Sequence, residues 1–201
     1  MFLPEVFNLT ESERILSDIA KNSFGLLISA GDSAEHIPFT TPLPMIIDGA
    51  VLYGHMARAN PHWRLFDGER VAQAVFMGPH AYISPTWYPD PSKSVPTWNY
   101  TLARVIGRPK VLDDDAKITW LMNTLSHKYE GDGGWAPDLT DPAFMAGMRR
   151  GIVAFHMTVD QIDGKAKLSQ NKPQDVAQSV ADRLRDQGET ELSDAMHKTF
   201  K

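Results

Sequence analysis

The 201-residue chain has no cysteine. That excludes a disulfide framework, a thiolate metal site and a cysteine nucleophile. No stretch approaches the ~20 consecutive apolar residues of a membrane-spanning helix. The opening MFLPEVFNLTESE also lacks the basic segment and apolar run of a secretory signal. A cytoplasmic protein without membrane association is expected. GxGxxG, Walker A and GxSxG segments are absent, which removes the usual dinucleotide, triphosphate and nucleophile-elbow readings. None of His36, His55, His62, His80, His127, His156 and His197 stands in an HExxH motif or a similar ligand pair, so no metal site is expected. An excess of positive charge is missing too. The net charge of −5 argues against a broadly basic nucleic-acid surface. The local basic candidates are Arg149-Arg150 and Lys165 to Lys172.

What is present is ordinary for a globular chain, with 42% hydrophobic and 22% charged residues. The length suffices for one large domain or two small ones. Thr10 with Glu13 fits a capping box, and Ile15, Leu16 and Ile19 follow on one helical face. FGLLISA reads as a buried strand. HIPFTTPLPMIIDGAVLYGHM reads as two strands hinged at Asp48-Gly49, a type I′ hairpin signal. Pro42 and Pro44 cannot donate to a ladder, so the first of these strands is expected to be interrupted or to lie at an edge. RVAQAVFMG and HAYISP suggest two further strands, and WNYTLARVIGRPKVL a long one in which Gly107 permits a bulge or bend.

Asp113 to Tyr129 has an acidic first turn, a stripe of Ile118, Leu121, Met122, Leu125 and Tyr129, and a stop at Gly131. A loop, EGDGGWAPDLTDP, precedes a short helical piece, AFMAGMRR, and GIVAFHMTVDQIDG returns to strand. Beyond Pro173, Val176, Val180 and Leu184 mark a tail helix, with a second around Leu192 and Met196. About six strands with peripheral helices predict a mostly β fold, a β-barrel with helical additions.

Three constellations could carry chemistry. In GHMARANPHW an apolar strand runs into Arg58 and Asn60 where a helix can begin at Pro61. An arginine fork suits a phosphate, and helix N–H groups would face the same anion. A solvated surface turn is the plain alternative. Trp87, Tyr88, Trp98 and Tyr100 flank a Pro/Ser-rich loop, where they could stack on a planar ligand or serve a core or dimer contact. KAKLSQNK gathers cations, a hydroxyl and amides, and a solvated turn explains it equally.

YGHMARANPHW, YISPTWY, VPTWNYTLARVIGRPKVL and KLSQNK occur in this order. Together they resemble the PaiB-type, FMN-binding negative transcriptional regulator family. The resemblance runs from about Tyr53 to Lys172. It implies an FMN-binding split barrel, related to pyridoxamine-phosphate oxidases and flavin reductases, that works as a homodimer with flavin near the subunit interface. Residues 1–172 would form the split-barrel domain and 173–201 a C-terminal helical extension of it.

By this similarity Arg58 and Asn60 would hold the FMN phosphate, with His55, Met56 and Ala57 lining the approach. Thr40 and Thr41 would sit near the isoalloxazine edge. Trp98, Asn99 and Tyr100 would reach the flavin region across the dimer, and Lys167, Ser169, Gln170 and Lys172 would complete the site. No catalytic residue is assigned. Two functions remain open: a regulatory flavin-binding protein, or a flavin-dependent oxidoreductase on the same barrel. A haem-binding variant is a third, although no histidine is singled out as an axial ligand. No helix-turn-helix is evident, so strong direct DNA binding by the isolated protein is not expected.

Overall fold

The first long element is a helix whose start differs from the capping-box expectation. In the computed structural model, which describes residues 1–31 and 37–200, α1 spans Ser12–Lys21. The Ile15 N–H donates to the Glu11 carbonyl at 3.1 Å, so Glu11, and not Thr10, holds the N-cap position. His36 lies outside the described residues.

Among the described residues there are seven strands: β1 (Asn8–Leu9), β2 (Phe24–Ser29), β3 (Phe39–Asp48), β4 (Val51–Ala57), β5 (Ala72–Ile83), β6 (Thr97–Val111) and β7 (Ile152–Lys167). Between and after them come α2 (Asp115–Glu130), α3 (Pro142–Arg150), α4 (Gln174–Asp186) and α5 (Thr190–His197). The strand order is β1-β7-β4-β3-β2-β5-β6, and β6 also pairs with β7. The sheet therefore closes on itself as a split barrel, with mostly antiparallel neighbours and the helices outside the strand sequence. The two-residue β1 was not visible in the hydrophobic pattern.

The prolines of β3 did not break it or put it at the sheet edge, because β3 lies between β2 and β4. Register explains this. Met45 donates to Ser23 of the β2 side at 2.8 Å, so the alternate residues Pro42 and Pro44 turn their nitrogens away from β2. On that other side β4 pairs with β3 only from Met45 onward. The proline half of β3 is an edge locally, inside an otherwise interior strand. The hairpin turn is Gly49-Ala50, since Asp48 pairs with Val51. Positive φ occurs at Gly49 alone (58°), the type II′ pattern rather than the expected I′. Two strands were expected between Arg70 and Pro85, and one is found. β5 continues through Pro79, whose missing donor falls beyond the β2 ladder, which ends at Val75.

The chain resolves into two compact units: Met1–Asp18 with Met77–Arg104 and Asp163–Lys201, and Ile19–Phe76 with Val105–Ile162. In the first, α4 and α5 bury Val180, Leu184, Leu192 and Met196 against Ile83, Tyr88 and Leu168. In the second, Leu27, Met45, Leu52, Phe76, Phe155 and Met157 are fully or almost fully buried. A separate cluster, Tyr53, Leu121, Leu125 and Ala154, lies under α2. Asp114 caps α2, accepting from the Ala116 and Lys117 N–H groups at 2.8 and 3.0 Å. Gly131 ends it at φ 73°. Gly107 provides close approach: a Cβ there would stand 2.1 Å from the Thr158 carbonyl oxygen of β7.

Candidate functional site

In the second unit the end of β4 feeds a short 3-10 turn, Pro61–Leu65. Asn60 caps it, its Oδ1 accepting from the His62 N–H at 3.0 Å, while Pro61 has no N–H to satisfy. The Asn60 amide also donates to Thr41 Oγ1 at 3.1 Å. Asn60 is thus engaged with its own turn and with β3.

Arg58 is exposed, yet its arm is fixed. Nε donates to the Arg150 carbonyl and Nη2 to the Ile152 carbonyl, both at 2.9 Å, and its backbone N–H to the Gly151 carbonyl at 2.8 Å. Trp63 returns a hydrogen bond to the Arg58 carbonyl at 2.9 Å and lies 6.0 Å from its guanidinium. A guanidinium carries five N–H donors, so the outer part of the fork stays open in a set direction. Arg58, Trp63 and Arg150 border a cavity of about 410 Å³.

Thr41, buried on β3, belongs to a polar chain that runs through the core. Its Oγ1 lies 2.8 Å from His62 Nδ1, and His62 Nε2 lies 2.8 Å from Ser29 Oγ. The imidazole has no exposed surface and stands between Phe39 and Phe66, with ring centroids 5.5 and 5.2 Å away. Burial lowers its pKa to about 4. A neutral ring has one N–H and one lone pair, so one hydroxyl donates to it and the other accepts from it. Thr40 is exposed on the locally unpaired side of β3. Strand alternation separates the remaining candidates: Met56 is buried with Leu52 and Gly54, whereas His55 shares the opposite face with Tyr53. Ala57 is exposed at the strand end.

The first unit gathers the other candidates. Along β6, Trp98 and Tyr100 face outward and Asn99 inward. Trp98 is 53% exposed and lies 6.2 Å from both His80 and Tyr82. Asn99 is buried. Its amide donates to Ser169 Oγ at 2.9 Å and to Met196 Sδ at 3.4 Å, and its Oδ1 has no partner among the described residues. Ser169 takes a left-handed backbone, φ 67°, rare for a residue with a Cβ. It also hydrogen-bonds Tyr88, whose pKa burial raises and this bond partly restores.

Lys167 donates to the Trp98 carbonyl at 2.6 Å and to Thr97. Burial first, then Lys165 and Lys172, lower its pKa. Gln170 folds onto its own turn, accepting from the Leu168 N–H and donating to the Ala166 carbonyl, both at 2.6 Å. Lys172 lies 5.0 Å from the Tyr88 ring centroid. The WNY and KLSQNK segments are therefore joined through Asn99, Ser169 and Lys167. His62 and Ser29 were missed as site residues. The signal was a serine and a threonine on the inward-facing positions of otherwise apolar strands.

The family model described as "Putative FMN-binding domain" matches residues 1–161. The chain belongs to the PaiB-type family of FMN-binding domain proteins. This PaiB-type chain is 32% identical over 193 residues to the Bacillus subtilis (strain 168) "Protease synthase and sporulation protein PAI 2", covering 93% of this chain and 90% of the relative. Its fold is similar to the flavocytochrome Anf3 from Azotobacter vinelandii, with a TM-score of 0.62, 11% identity and coverage of 80% of this chain and 69% of that one. It is also similar to the FAD and heme binding protein from Mycobacterium smegmatis, with a TM-score of 0.60, 17% identity and coverage of 80% and 73%. Among the described residues, no helix of the PaiB-type chain is long and apolar enough to cross a membrane.

Proposed function

We propose that this protein binds FMN in its second unit, with the phosphate on Arg58 and the isoalloxazine edge along the unpaired half of β3. The observation that carries the reading is the Arg58 fork, held by two main-chain carbonyls while its other donors have no partner among the described residues. A fixed guanidinium loses little freedom when it takes an anion. The donor set fits the cofactor. Arg58 supplies charge, and Thr40 and Pro42 present main-chain groups on a side that no described strand pairs. Bound FMN would supply reversible one- and two-electron chemistry. Thr41, held by Asn60 and His62, keeps that edge rigid.

The protein works as a homodimer with the flavin near the subunit interface. Trp98 and Tyr82, 53% and 46% exposed on the first unit, are apolar surface that a twofold contact would cover. Its role is regulatory, as in the negative transcriptional regulators it resembles, without strong direct operator binding. Of the local cations, Arg149 is paired with Asp115 and Lys167 is turned to the Trp98 carbonyl.

Titration with FMN and riboflavin tests the site. FMN should bind more tightly, and Arg58→Ala should lower FMN affinity roughly ten- to a hundred-fold while leaving riboflavin nearly unchanged. Equal FMN affinity in the variant removes Arg58 from the site. Light scattering on the flavin-loaded protein at micromolar concentration should give a dimer, and a monomer counts against a shared interface.

A further inference from the structure

We propose that the second unit carries, adjoining the Arg58 cavity along Ile118, Ala146, Arg149 and Ile152, a further cavity for a small, neutral, mostly apolar molecule whose acceptor oxygen, such as a ketone carbonyl, is held by His55. This inference does not rest on the flavin reading. The cavity measures about 640 Å³ and is lined by Met122, Trp135, Phe144, Met145 and Met148 together with His55. That volume lies within the ~300–1,000 Å³ of small-molecule sites, which combine apolar walls with a few placed polar groups. Phe144 and Met148 stand one helical turn apart on α3 and remain 59% and 52% exposed, so the helix leaves apolar surface open at the cavity. Methionine walls adapt to apolar ligands of differing shape.

His55 supplies the direction. Its Nδ1 is shut inside the protein with no partner among the described residues. Nε2 also has no partner among the described residues, but it is not closed off in the same way, so it is the nitrogen left to a ligand. Burial lowers the pKa of the ring and keeps it neutral, with a single N–H. A buried N–H without an acceptor is rarer than a buried lone pair without a donor, which puts the proton on Nε2. The ligand must then offer an acceptor. A charged ligand is not favoured, because the cavity's arginine, Arg149, is matched by Asp115 at 2.6 Å and donates to Thr119 at 3.0 Å.

The test compares 2-acetylnaphthalene with 2-ethylnaphthalene, nearly the same shape with and without the carbonyl. Binding is followed on the full chain by calorimetry and by quenching of tryptophan fluorescence. The ketone should bind about two- to ten-fold more tightly, the range of one net hydrogen bond. His55→Phe should erase that preference while both compounds still bind. Ala146→Phe, a change at an exposed position of the cavity wall that leaves the core alone, should weaken both. Equal affinities in the parent, a preference that survives His55→Phe, or no effect of Ala146→Phe would each overturn the assignment.

Discussion

His62 makes this protein's stability depend on pH through one side chain, and the size of the effect can be worked out. The imidazole has no exposed surface and sits between two phenylalanine rings, with a pKa lowered to about 4 by burial. In the unfolded chain the same ring titrates near ~6.5. Below that value the unfolded state takes up a proton that the folded state refuses. Stability is therefore fully present above ~6.5, falls with pH through the interval, and stops falling near the folded pKa. Between pH 7 and pH 5 the loss from this residue is about 2 kcal/mol, and it approaches ~3 kcal/mol by pH 4. His55 and His156 also have pKa values lowered by burial, so the parent's total slope exceeds this figure.

His62→Gln isolates the contribution, because glutamine can still meet Thr41 and Ser29 but does not titrate in this range. Urea unfolding of both proteins across pH 4–7 at constant ionic strength is the assay. The variant should start less stable at pH 7 and then lose about 2 kcal/mol less than the parent on the way to pH 5. Parallel curves would refute the reasoning, since the ring would then be protonated as readily in the fold as out of it.

Two further substitutions read the fold around the site. Asn60→Ala removes a cap and a hydrogen bond to Thr41, and thermal or urea unfolding should show a loss of about 1–2 kcal/mol. Gly107→Ala would set a Cβ 2.1 Å from the Thr158 carbonyl oxygen. Differential scanning calorimetry should show a loss of at least about 1–3 kcal/mol, or several degrees in Tm, and an unchanged Tm would mean that β6 and β7 do not approach so closely.

The elements legible in the sequence were those whose signals are local. α2 carries its own cap at Asp114, the buried Leu121 and Leu125 of its stripe and its stop at Gly131, while Tyr129, expected on that stripe, is exposed, and α4 and α5 fall where Val180, Leu184, Leu192 and Met196 place them. The two misreadings at prolines share one cause. Whether Pro42 breaks a strand depends on which neighbour its nitrogen faces, and that is set by the register of β2 and β4 rather than by β3. Pro79 in β5 repeats the case. Thr10 with Glu13 had the capping-box spacing, but the helix starts one residue later, at the carbonyl of Glu11.

The candidate site divides along the same line. Arg58 and Asn60 were readable as a polar interruption at the end of an apolar strand, and the motif resemblance drew Trp98, Asn99 and Lys167 into one group. What the chain could not display was the occupancy of their donors. The Arg58 fork is directed by carbonyls at Arg150 and Ile152, more than ninety positions away, and the Asn60 amide is taken by a threonine on another strand. His62 is the sharpest instance. Its partners Ser29 and Thr41 come from β2 and β3 and its flanking rings from Phe39 and Phe66, so nothing next to it in sequence marks it as buried. Alternation still offered a clue. Ser29 follows Leu27, and Thr41 precedes Leu43 and Met45, all on inward positions. Two hydroxyls on the buried faces of adjacent strands need a partner inside the protein, and a residue able both to donate and to accept, as a neutral histidine does, meets that need.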